Sequence, residues 1–181
     1  LTSVVEFEKF LQGHDTATAA LVAWCRRYDG RGADDLAVTL LSDRVAQPGE
    51  YQGPLRPCAG ETIQCRRVLL RWGQRVVSEA ENWYVPQRLP VAIRRMLAEG
   101  ALPFGAVVAE LMPRRTTTTM LRCEQIAGGG REAAELLEQL ARAQVFSPPE
   151  AFVLHVHAMM TVSGVMLADV REHYRRELLM S

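Results

Sequence analysis

Residues 166–174, MLADVREHY, carry the reading that decides the fold. As a strand they place Met166, Ala168, Val170, Glu172 and Tyr174 on one face. Leu167, Asp169, Arg171 and His173 fall on the other. The first set is apolar except for one carboxylate. A buried carboxylate without a partner costs several kcal/mol or takes up a proton, so Glu172 must be met by something.

Outward from this strand, Ser163-Gly164 makes a tight turn back to AFVLHVHAMMTV (151–162). In that run Phe152, Leu154, Val156, Ala158, Met160 and Val162 share one apolar face. A second hairpin is expected in 63–86, two β-rich runs around Gly73-Gln74 that end at Pro86. DLAVTLLSDRVA (35–46) and TTTTMLRCEQIA (116–127) read as further strands. Helices are expected over 3–12, 16–28, 90–100, 103–112 and 131–143. In the second of these, Leu21, Trp24, Cys25 and Tyr28 lie on one stripe. The stretch 47–62, rich in Pro and Gly, reads as a loop, and Gly128–Gly130 as a turn. The sum is an α+β fold, an antiparallel sheet with helices packed on one face.

The chain has 181 residues, 48% hydrophobic, which suits one globular domain over 1–181. Lys+Arg and Asp+Glu both number 21, so charge gives no reason to expect nucleic acid or an anionic membrane surface. No run of 18 apolar residues suggests a membrane span. Cys25, Cys58, Cys65 and Cys123 lack metal-site spacing and are expected to be reduced thiols of a cytoplasmic protein. The chain starts on Leu1, and a trimmed start is expected.

The parity test applied to QCRRVLLRW (64–72) puts Arg66 beside Val68, Leu70 and Trp72. Arg66 is thus an inward cation, as Glu172 is an inward anion. They could form a structural salt bridge, or face each other across a ligand pocket. A single bulge would flip either assignment. His155 and His157 share a strand face; a solvated or helix-covered pair is expected there rather than a metal site, since no third ligand is evident. Glu79 and Glu81 are expected at an exposed edge. Arg114 and Arg115 are read as loop.

The order of motifs resembles the chorismate pyruvate-lyase family. GHDTATAAL (13–21) is similar to the family's Asp-Ser-x-Thr segment. RRVLLRWGQRVVSEAENWYVP (66–86) is similar to its Arg-led hairpin, and LAEGALPFGAVV (97–108) to its Gly-x-x-Pro-Leu-Gly turn. VSGVMLADVREHY (162–174) is similar to its Ser-Gly-x-Pro-Leu hairpin leading to a glutamate. The resemblance implies a small ligand cavity on the antiparallel sheet, a small-molecule substrate, and neither metal nor cofactor. It implies Arg66 and Glu172 as catalytic residues. Arg66 would anchor the ring carboxylate and Glu172 would bond the ring hydroxyl. Ala17, Phe104 and Gly105 would line the substrate, with the Phe104 amide helping to hold a carboxylate. The sequence departs from the pattern at Ala17 (Met in the family), Phe104 (Leu) and Met166 (Pro), and one extra residue separates Gly164 from Glu172.

The expected activity is elimination of pyruvate from chorismate to give 4-hydroxybenzoate. The main alternative is a tailoring enzyme of the same fold that eliminates, cyclises or rearranges another small molecule. A non-catalytic ligand-binding domain, as in some transcription regulators, ranks last. Only two short helices precede the first strand, and neither is a basic recognition helix.

Overall fold

The computed structural model describes residues 3–28, 36–143 and 147–179. Six strands form one antiparallel sheet: β1 (Leu36–Val45), β2 (Gln64–Trp72), β3 (Arg75–Tyr84), β4 (Arg114–Arg122), β5 (Phe152–Val162) and β6 (Val165–Arg175). Their spatial order is β1-β2-β3-β6-β5-β4. Both expected hairpins form. The β5–β6 turn has Ser163 at φ 49° and Gly164 at φ 80°, the positive pair that a two-residue hairpin turn requires. The predicted start of the first strand, Asp35, lies outside the described residues.

Four helices cover one face. The first, α1 (Val4–Gln12), opens with a capping box in which Ser3 and Glu6 bond reciprocally. With α2 (Ala17–Tyr28) it buries Phe7, Leu11, Leu21 and Trp24 against Val68, Leu70, Ala80 and Tyr174. The Phe7 ring meets Trp24 and Tyr174 edge-on at 5.0 and 4.9 Å, an arrangement that favours aromatic quadrupoles. Further along, α3 (Val91–Glu99) and α4 (Phe104–Val108) pack Ile93, Leu97 and Phe104 onto Tyr84, Met160, Ala168 and Val170. The α+β architecture is the one the sequence pattern predicts. The opposite face carries the 47–62 loop, whose Tyr51 packs on Trp83. It also carries α6 (Arg131–Ala143), which follows the short α5 (Cys123–Ala127). Among the described residues no helix is long and apolar enough to cross a membrane.

Three local expectations are corrected. The fourth strand begins at Arg114, so Arg114 and Arg115 belong to the sheet and not to a loop. It ends at Arg122, where Gln125 accepts from the Arg122 amide and turns the chain into α5. In β6 the register slips between Met160↔Ala168 and Thr161↔Met166, leaving Leu167 as a bulge. Leu167 thereby joins the apolar cluster around Ala168, and Met166 packs with Trp83 on the other side. From Ala168 onward the expected parity holds.

Candidate functional site

Register places the two inward charges on adjacent ranks of one face. Arg66 lies opposite Asn82, which lies opposite Val170; Val68, Ala80 and Glu172 form the next rank. Two strand spacings and two residues of rise separate the Cα atoms of Arg66 and Glu172 by roughly 12 Å. Ala80 leaves a hollow between them because its side chain is one methyl. The hollow is a cavity of about 30 Å³ bounded by Ala80, Asn82, Val170 and Glu172, with Ala17, Phe104 and Gly105 above. By the measure on which a water needs roughly 10–15 Å³, it has room for a water or two. Four of the five residues singled out in the sequence thus line one cavity, and the fifth, Arg66, stands directly behind Asn82. Gly105 is required there: a Cβ would come within 2.9 Å of Thr18 Oγ1 and push α4 off α2.

Arg66 is fully buried. Its Nη2 donates to the Leu102 carbonyl at 2.9 Å, while Nε and Nη1 have no hydrogen-bond partner among the described residues. Burial lowers its pKa, against the pull of Asp43. Asp43 sits opposite it on β1 but accepts from Gln64 at 2.6 Å and from Tyr84 at 3.3 Å rather than from Arg66. The side-chain oxygen of Asn82, which pairs with Arg66 across the strands and lines the cavity, is also without a partner among the described residues.

Glu172 is buried as expected, but its cation is Arg115, not Arg66. Arg115 Nη2 donates to Glu172 Oε2 at 2.8 Å, and the Tyr174 hydroxyl donates to the same oxygen at 3.1 Å. Arg115 reaches it from the edge strand β4, across β5. Alternation alone could not reveal this partner, because β4 carries its own register shift between Thr117 and Thr119. Arg115 and Thr16 line both the inner cavity and a broad outer groove of about 790 Å³ that also touches His14, Asp15 and Met112.

The opposite face holds a second polar layer. Glu79 and Glu81, expected at an exposed edge, are buried, because β3 is an interior strand paired on both sides. Glu81 accepts from Arg67 at 2.7 Å, Trp83 at 2.5 Å and Arg171 at 3.3 Å. Glu79 is held by Ser147 at 2.6 Å and Arg175 at 3.0 Å. Burial pushes the Asp169 carboxyl up, but His157, Arg171 and Tyr51 outweigh it and leave it below its ordinary value.

The histidines of HVH are helix-covered, beneath α6. His155 Nδ1 and His173 Nδ1 are 2.7 Å apart, both rings deeply buried. Burial pushes His155 down to about 4 and His173 well below its ordinary value. In the unfolded chain a histidine titrates near 6.5, so the unfolded state binds more protons as pH falls below that value. The stability that depends on neutral His155 is complete above pH 6.5 and is lost as pH falls towards 4. Urea unfolding is expected to show roughly 2 kcal/mol less stability at pH 5 than at pH 7 from His155 alone. A His155→Gln variant is expected to lose that part of the slope.

No family model matches the chain. It is 34% identical, over 188 aligned positions, to the uncharacterized protein y4mC of Sinorhizobium fredii, with 93% of this chain and 72% of that protein covered. The chain belongs to the y4mC family. This y4mC-family fold is also that of solved regulator domains. It aligns with the effector domain of PhnF from Mycobacterium smegmatis at TM-score 0.51 and 14% identity over 90% of each chain. It aligns with the ligand-binding domain of a GntR-family transcriptional regulator from Bordetella bronchiseptica at TM-score 0.50 and 19% identity, over 80% of this chain and 89% of that one. The resemblance read from the motifs therefore holds at the level of the fold. Membership of the lyase family itself is not shown.

Proposed function

We propose that residues 1–181 form one domain that binds a small carboxylate-bearing molecule between the sheet and the α2–α4 side, with Arg66 as its anchor. The carrying observation is the Arg66 guanidinium: fully buried, with two donors unpartnered among the described residues, beside Asn82, which lines a small gap in the packing. A buried cation with free donors is costly, and a bidentate carboxylate satisfies both the charge and the donors. Ala17, Phe104 and Gly105 would form the wall facing Arg66. The cavity must widen to admit an aromatic acid, and the outer groove, joined to it at Thr16 and Arg115, supplies the approach.

Binding is favoured over catalysis by Glu172. Besides Arg115 it is the sole titratable side chain lining the cavity among the described residues, and Arg115 and Tyr174 already hold it. A carboxylate so engaged is poorly placed to exchange protons with a substrate. The test is thermal unfolding with 4-hydroxybenzoate against 4-hydroxybenzyl alcohol. The acid is expected to raise the melting temperature with the logarithm of its concentration above Kd, since ligand at about 100 times Kd adds about 2.7 kcal/mol. Equal stabilisation by the alcohol would overturn the role of Arg66.

A second reading keeps the chemistry the motifs imply: pyruvate elimination from chorismate, or a related elimination, cyclisation or rearrangement on another molecule, with Arg66 and Glu172 as the catalytic pair. It draws support from the adjacent ranks of these two residues around one cavity. Elimination is driven by aromatisation, so orientation and charge stabilisation would suffice. Incubation with chorismate separates the two readings. The binding reading expects no pyruvate above the rate without protein; catalytic release would establish the lyase.

A further inference from the structure

The HVH motif lies on the face of the sheet away from the proposed carboxylate site, and it lines a cavity of its own. A partly open cavity of about 80 Å³ lies between α6 and the sheet, several times what a water needs. The floor is His155, His157 and His173; Leu121 and Leu136 supply apolar wall, and Thr119 and Gln139 supply polar groups. His155 is 2% exposed, and its Nε2 has no hydrogen-bond partner among the described residues. His157 is fixed by Asp169, whose Oδ1 is 2.5 Å from Nε2. Asp169 is fully buried and also accepts from Tyr51 at 2.8 Å. An ionised carboxylate only accepts, so Nε2 of His157 is the donor. In the neutral ring Nδ1 is then the acceptor left over.

We propose that this cavity is a second ligand site, for a small uncharged molecule bearing a hydroxyl group, a phenol foremost. The two ring nitrogens left over at its floor bond a hydroxyl in either direction. His155 can present a lone pair or an N–H, depending on which ring of the His155–His173 pair donates. The apolar wall suits an aromatic body. Charge argues against an anion. Arg171, the cation at the floor, already has its charge shared between Glu81 and Asp169 at 3.3 Å each, and of its nitrogens Nε is without a hydrogen-bond partner among the described residues. Glu132 and Glu135 stand at the α6 side, with Arg131 bonded to Glu135. Geometry argues against a metal: no group of three His, Cys, Asp or Glu side chains among the described residues is arranged to hold one.

The test is titration of the full chain with phenol, followed through the side-chain nitrogens of its four histidines by NMR. Substitutions His155→Gln and His157→Gln assign the signals. Phenol is expected to shift the His155 and His157 rings saturably and to leave His14, on the other side of the sheet, unmoved. Benzoate is expected to leave His155 and His157 in place. Leu136→Trp and Gln139→Trp, at half-exposed positions of α6, fill the cavity from above and are each expected to weaken phenol at least tenfold. Absence of a saturable shift, an equal response to benzoate, or unchanged phenol affinity in both tryptophan variants would overturn the site.

Discussion

Replacing Glu81 with leucine is expected to destabilise the protein by about 3–5 kcal/mol, the cost of stripping one partner from a buried ion pair. Glu81 has 4% of its side chain exposed, and the guanidiniums of Arg67 and Arg171 beside it have 10% and 9%. Among the described residues, leucine removes the ion-pair partner of Arg67 and one of the two ion-pair partners of Arg171. It also leaves the Trp83 Nε1 donor without its acceptor. The pair's own attraction is not the source of the effect; the buried Arg67 left uncompensated, and Arg171 left to Asp169 alone, are. The double substitution Arg67→Met with Glu81→Leu is therefore expected to recover a large part of the loss. Asp169 still holds Arg171 at 3.3 Å in that background. Urea unfolding of the parent, the single variant and the double variant measures all three. A single-variant loss under about 1 kcal/mol would mean that water reaches this layer and screens it.

The second large effect concerns binding. Arg66→Met is expected to weaken 4-hydroxybenzoate at least 100-fold, because two charge-assisted hydrogen bonds, each contributing roughly 1.5–3 kcal/mol, are lost together. Stability is expected to change little. Methionine fills much the same volume, and exchange of a buried charge for an apolar side chain is often neutral or stabilising. Lysine keeps the charge but cannot reproduce the planar fork, so Arg66→Lys is expected to fall between parent and methionine variant. Titration calorimetry reads affinity, and unfolding of the same samples shows that the fold is retained. Parent-like affinity in the methionine variant would remove the anchor from the proposal.

These two experiments probe opposite faces of one sheet, and the faces were unequally legible. The carboxylate side was visible because Arg66 and Glu172 break an otherwise apolar alternation, and period-two alternation is local. Arg115 was not visible. It meets Glu172 only because β4 joins the edge beyond β5, with a register shift that hides its parity. The polar layer around Glu81 was misread for a related reason. Alternation reports which side a residue takes, and carries no information on whether its strand is interior or edge.

The sequence by itself determined five of the helices, both hairpins, the α+β class and the inward turn of Arg66 and Glu172. Each of these follows from contacts within a few residues along the chain, where spacing and steric preference act directly. Only the tertiary structure decided that β3 and β6 are neighbours, that Leu167 bulges to keep Glu172 inward, and that each buried charge is met by a residue far away in sequence. Those outcomes depend on which surfaces lose water together, and that is settled when the whole sheet closes.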